Sequence, residues 1–330
     1  MKRSRSIFIC ILLSFALLAA FIGCPDASAP PTPGSGPVPG VQPGVTTTEG
    51  VVLPLEPTGV TPPKPTAEEK KIEAPKDGAF LVPAGVYGKV AAEAVPMPPV
   101  EDLAAQIDEY VAKIGATLDD LDGTVNYKSD GDQVVRDANG LALVALAVGM
   151  MPVDSKYKKA APAIIQAATD LAKIDKYDDA KKGYETLRAA LTTEGDPSTL
   201  RWTKVADLTP VMKAVPNLSS MVKRLTNAEP KLKRAVKKPE RLYGATAALA
   251  AISHGSIANA ADTNKPNEVE LWKKECELFR DAAIQANAAL HGYADGKIDY
   301  AAYWEAHTRM TDACETCHKI FSPGAVGKSE

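Results

Sequence analysis

The stretch VEDLAAQIDEYVAKIGATLDDL, Val100 to Leu121, carries apolar residues at Leu103, Ile107, Tyr110, Val111, Ile114 and Leu118. Steps of three and four put these side chains on one face of a helix. Three further segments follow: DANGLALVALAVGMM from Asp137, YKKAAPAIIQAATDLAKI from Tyr157 and YDDAKKGYETLRAAL from Tyr177. Proline and glycine breaks separate them. Ala is abundant and aromatics are only 6% of the chain, a balance that suits helices better than sheets. The expected fold class is all-α.

The same order recurs downstream. VEDL at Val100 matches VADL at Val205, and GLALVALAVG ending at Gly149 matches TAALAAISHG ending at Gly255. IQA at Ile165 matches IQA at Ile284, and YDDAKKGYETLRAALTTEG from Tyr177 matches YAAYWEAHTRMTDACETCH from Tyr300. The common order is better evidence than any single pairing, because Ala-rich helices also match by chance. We expect two tandem antiparallel four-helix bundles, residues 99–198 and 203–323, joined near EGDPSTLRW.

The chain has 330 residues, enough for two ordinary domains. A formal net charge of −3 argues against a nucleic-acid partner, which calls for a strongly basic surface. At the N-terminus Lys2, Arg3 and Arg5 precede the apolar run Ile7–Ile22, a secretory signal pattern. FIGC, ending at Cys24, resembles the bacterial lipobox, although Phe21 stands where Leu is usual. The resemblance implies cleavage before Cys24 and its lipidation. An ordinary signal peptide and an uncleaved anchor are the other readings, and all three place the rest of the chain outside the cytoplasm. The expected location is the periplasm or cell envelope. Residues 25–98 are dense in Pro, Gly, Thr and Val; this composition cannot sustain helix or sheet ladders and reads as an extended spacer. Within it, Gly78 to Val90 is more apolar and suits local packing.

Beyond Cys10 and Cys24 the chain has Cys276 and the close pair Cys314 and Cys317. A disulfide-stapled domain would spread more cysteines along its length, so the pair serves local chemistry. It stands in DACETCHKIF, Asp312 to Phe321, as C-x-x-C-H with His318. Zinc would need a second pair or two suitably spaced histidines, and His254, His291 and His307 are not spaced for it. A thioredoxin-like motif belongs at a strand-to-helix junction. C-x-x-C-H is the attachment pattern of c-type haem: both thiols add to the haem vinyls and the following imidazole binds iron. Export fits, because covalent haem is attached outside the bacterial cytoplasm.

A last bundle helix carrying ACETCHKIF, Ala313 to Phe321, resembles the cytochrome c prime family, the class II cytochromes c. The segment VMKAVPNLSSMVKRL, Val211 to Leu225, is similar to the family's first helix. The resemblance covers about Val205 to Phe321. It implies one covalent haem c inside the C-terminal bundle, bound through Cys314, Cys317 and His318. Family members often follow the motif with an aromatic and an Arg; here Ser322 follows Phe321. In low-spin members a first-helix Met binds the iron, and Met212 occupies the matching position; in high-spin members the distal side is open. Met212 as plain core filling is the competing reading. Dimerisation through the first two helices is also a family trait, so a homodimer is a further expectation.

Lesser candidates stand beside Met212. Met221 lies near the opposite side of the helix, and Pro216 removes a hydrogen bond between them. His254 is a second distal candidate. His307 precedes His318 by eleven residues, about 16 Å along one helix, so the two cannot be axial partners. His291 reads as a cation or cap at a helix end, and Cys276 as a buried small hydrophobe. In the first repeat Leu191, Glu194 and Gly195 stand where the haem motif stands, and Ile107 where Met212 stands. That repeat is expected to carry no haem. The function expected is a lipid-tethered monohaem cytochrome passing single electrons between redox partner proteins; the alternative is a high-spin haem protein that binds NO or CO. Catalysis is not expected, since no distal His–Arg pair stands out near the haem helix.

Overall fold

The computed structural model describes residues 95–122 and 126–322. The expected signal segment, Cys24 and the spacer up to residue 94, including Gly78–Val90, lie outside the described residues. The described residues are all helical, without strands. In chain order the helices are α1 (Val100–Asp120), α2 (Tyr127–Asp130), α3 (Asp132–Met150), α4 (Ala161–Leu171), α5 (Tyr177–Ala190), α6 (Leu208–Thr226), α7 (Glu229–Ala235), α8 (Glu240–Gly255), α9 (Val269–Ala294) and α10 (Tyr300–Phe321). Short 3-10 turns lie at Pro197–Thr199 and Ser256–Asp262.

The stripe of α1 is buried as its spacing requires: Leu103, Ile107, Tyr110, Ile114 and Leu118 are all within 2% of full burial. Glu101 and Asp102 occupy its first turn, where carboxylates complement the helix dipole. Val95 and Met97, at the end of the expected spacer, are packed on the core, so the core takes in residues just before the helix.

Two helices lack a solvent face over much of their length. Leu141 to Val148 on α3 and Ala245 to Ile252 on α8 are essentially inaccessible, and a helix apolar all round belongs inside a protein. α3 packs against α1, α4, α6 and α8; α8 packs against α1, α3, α6 and α9. Small residues permit the close approach. A Cβ on Gly244 would lie 3.0 Å from Gln106 Oε1 and 3.3 Å from the Asp102 carbonyl, and one on Gly255 would lie 2.6 Å from Leu143. The two halves therefore meet along α1, α3, α6 and α8, and their buried residues form one continuous main core.

α9 and α10 form an antiparallel hairpin. Gly296 takes the left-handed conformation in its turn (φ 69°). Asp299 then caps α10 by accepting from the Ala302 N–H at 2.9 Å. α6 runs unbroken through Pro216, whose ring lies on the exposed face. Because Pro216 has no N–H, the Met212 carbonyl lacks its usual helical donor. No described helix is long and apolar enough to cross a membrane.

Candidate functional site

α10 presents an inward stripe. Tyr303, His307 and Met310 are buried; Cys314, Cys317 and His318 are half-buried; Phe321 closes the helix, buried. α10 is continuous from Tyr300 to Phe321, so His307 and His318 stay about 16 Å apart along the axis.

The motif's thiols face two environments. Cys314 packs against the main core. Cys317 packs on a satellite cluster of Ala260, Trp272, Cys276 and Phe321. Trp272 meets Phe321 edge-on at 5.0 Å between ring centroids and donates its indole N–H to the Ser256 carbonyl at 2.8 Å. Burial pushes the Cys314 thiol up to about 12, helped by Cys317 and Glu315. Burial, then Glu275, pushes Cys317 up to about 11. Both are free thiols and stay protonated at neutral pH. Among the described residues no group of three or more His, Cys, Asp or Glu side chains converges as a metal ion would require. A chelate needs convergence. Attached haem does not, because the sulfurs bond to the macrocycle's edge and only the imidazole reaches iron. The donor set of Cys314, Cys317 and His318 thus fits a covalent haem better than a chelated ion.

α6 reaches the α10 side at both of its ends. Tyr300, at the start of α10, donates to the Thr226 carbonyl at the end of α6 (3.1 Å). At the other end Leu208 packs on the cluster that holds Cys317. The two helices are therefore antiparallel, and Met212 lies one turn, about 6 Å, in from Leu208. Met212 is half-buried against the main core. The close backbone neighbours of α6 are α3 and α8, and that of α10 is α9. Met221 points elsewhere: it lines a cleft of about 150 Å³ with Tyr110, Lys113, Arg224 and Arg241.

The other histidines have definite partners or surroundings. His307 stacks on Trp304 at 4.8 Å, and its Nε2 is buried without a partner. Burial, with Lys223 adding, lowers its pKa to about 4. His254 accepts at Nδ1 from Arg280 (3.1 Å) and meets Trp202 edge-on at 4.5 Å; burial and then Arg280 lower it to about 4. A buried His–Arg pair thus exists, one helical turn along α9 from Cys276, which sequence spacing did not reveal. His291 does more than end a helix: its Nε2 bonds the Asp102 carboxylate at 2.8 Å and its ring lies 3.9 Å from Tyr243. Asn287 donates to the same Asp102 oxygen (3.0 Å) and to the Tyr243 carbonyl (3.1 Å). This network joins α1 to α8 and α9.

Trp272, Glu275 and Cys276, all on α9, form the wall behind Cys317; Cys276 is buried as its sequence reading expected, while Trp272 and Glu275 were not singled out from sequence. The signal that could have found them is the short α9–α10 loop, which forces the start of α9 beside the end of α10. Comparison with protein-family models, curated proteins and solved structures gave no match to the chain.

Proposed function

We propose that the protein is a monohaem c-type cytochrome, exported and tethered through a lipidated Cys24, that carries single electrons between partner proteins. Its helices are read as two four-helix units, and only the C-terminal one holds haem. The observation that supports this most is the position of Cys314, Cys317 and His318: the last two turns of an unbroken α10, thiols turned toward buried apolar residues, at the end of the unit where the Met212 turn of α6 also lies.

When bound, haem supplies one-electron redox chemistry; the protein sets access and potential. Cys314 and Cys317 would hold the group through thioether bonds. His318, whose ring has no hydrogen-bond partner among the described residues, is free to be the proximal ligand. Trp272 and Phe321 keep water from the Cys317 side. Met212 would supply the distal ligand; a thioether is soft and favours the ferrous form. The second reading, an open distal site for NO or CO, draws support from Pro216, which frees the Met212 carbonyl and weakens that turn.

The test is spectroscopic. A pyridine haemochrome assay is expected to show one covalent haem per chain, and none would overturn the assignment. A ferric spectrum with a Met–sulfur charge-transfer band that Met212→Ala abolishes assigns Met212. A high-spin ferric iron indifferent to Met212→Ala selects the open site.

A further inference from the structure

Between the end of α6 and the start of α8 the surface turns strongly basic. Lys223, Arg224, Lys231, Arg234, Lys237 and Lys238 are exposed, and among the described residues none has a carboxylate within ion-pair distance; Lys233 and Arg241, in the same stretch, pair with Glu229 and Glu109. The chain as a whole is slightly acidic, at −3, so this cluster is not a reflection of composition. Like charges at this density repel one another and lower stability unless something outside the molecule offsets them.

The patch has a character that narrows its partner. Leu232 of α7 is fully buried, and Ala235 and Val236 are packed on the core. No large apolar or aromatic side chain is left exposed in the patch to build the centre of a protein interface, where Lys is depleted, or to insert into acyl chains. What remains is a diffuse cationic field dominated by Lys, which suits the surface potential of anionic lipid headgroups. We propose that the α6–α7–α8 end docks electrostatically on an anionic membrane surface. The haem motif lies toward the opposite end of α6, about 28 Å away along that helix, so docking leaves Cys314, Cys317 and His318 facing away from the lipid. The proposal stands whether or not haem is attached.

The test is hydrogen exchange on the full chain reconstituted in vesicles of phosphatidylcholine alone or with about one-third phosphatidylglycerol. Exchange in residues 227–238 is expected to slow several-fold only with phosphatidylglycerol. Added salt should reverse the slowing by screening, and Lys231→Gln/Arg234→Gln/Lys237→Gln/Lys238→Gln should abolish it. The salt reversal is read on the unsubstituted chain and needs no variant to fold. Equal exchange in the two vesicle types overturns the proposal. Protection by soluble polyglutamate without protection by phosphatidylglycerol also overturns it, and assigns the patch to an acidic polypeptide.

Discussion

The last helices of the two matched stretches of sequence start alike and end differently. α5 and α10 both begin at the tyrosine of the matching segment, Tyr177 and Tyr300. α5 stops at Ala190; α10 continues to Phe321. Leu191, Glu194 and Gly195, which align with Cys314, Cys317 and His318, thus lie beyond the end of their helix. The local cause is visible. The hydroxyls of Thr192 and Thr193 donate to the Ala189 carbonyl, offering the backbone an alternative to another helical turn. The Gly195 N–H then donates to the Lys159 carbonyl at 2.8 Å. The first half therefore has no helix running through the positions that align with Cys314, Cys317 and His318. The third helices differ in the same direction: α4 has 11 residues and α9 has 26, and the extra length of α9 supplies Trp272 and Cys276 beside Cys317.

The largest effect that tests this contrast is all or none. Cys314→Ser/Cys317→Ser is expected to remove all covalent haem, read by haem-stained denaturing gels. Residual covalent haem would place a second attachment site elsewhere.

Acid should open the second half first. All four histidines of the chain lie in it, and His254 and His307 hold folded pKa values of about 4 against an ordinary 6.5. A lowered folded value means the unfolded chain binds protons more readily. Their stability is fully present above pH 6.5 and is lost as pH falls toward 4. Each should cost about 2 kcal/mol by pH 5. Hydrogen exchange should report this as faster opening of α8 to α10 than of α3 to α5, and His254→Gln/His307→Gln should flatten the pH profile. Equal acid sensitivity in both halves would contradict the assignment.

The seam between the halves should respond to Asp102→Ala. Removing that carboxylate leaves His291 and Asn287 without their shared acceptor, at a cost of about 2–3 kcal/mol. Urea denaturation should show it as a lower midpoint in a single transition; two separated transitions would mean that the halves fold independently. The smallest effect is Gly244→Val, where the new side chain meets Gln106 and the α1 backbone. About 1–2 kcal/mol is expected, and no loss would show that α1 and α8 can move apart freely.

The apolar stripe of α1 and the helical class were legible because helical spacing is a local property of the chain. The Asp102–His291 bond was not. Asp102 reads as a first-turn carboxylate and His291 as a helix-end cation, and nothing local says that 189 positions of separation close to a hydrogen bond. The His254–Arg280 pair was hidden for the same reason, since its members sit on different helices. Spacing also suggested two cores, whereas the all-round burial of α3 and α8 merges them: each helix is so rich in Ala and Gly that a neighbour from the other half can approach it closely.

By itself, the sequence determined the helical class, and it supplied the repeat order and the C-x-x-C-H motif on which the haem proposal rests, because periodicity and short motifs are written in consecutive residues. Only the tertiary structure decided that the halves share a core, that α9 walls the motif, and that the cation-rich stretch 223–238 lies at the end remote from it. These depend on which helix faces which, and that choice is made by the burial of surfaces far apart in the chain.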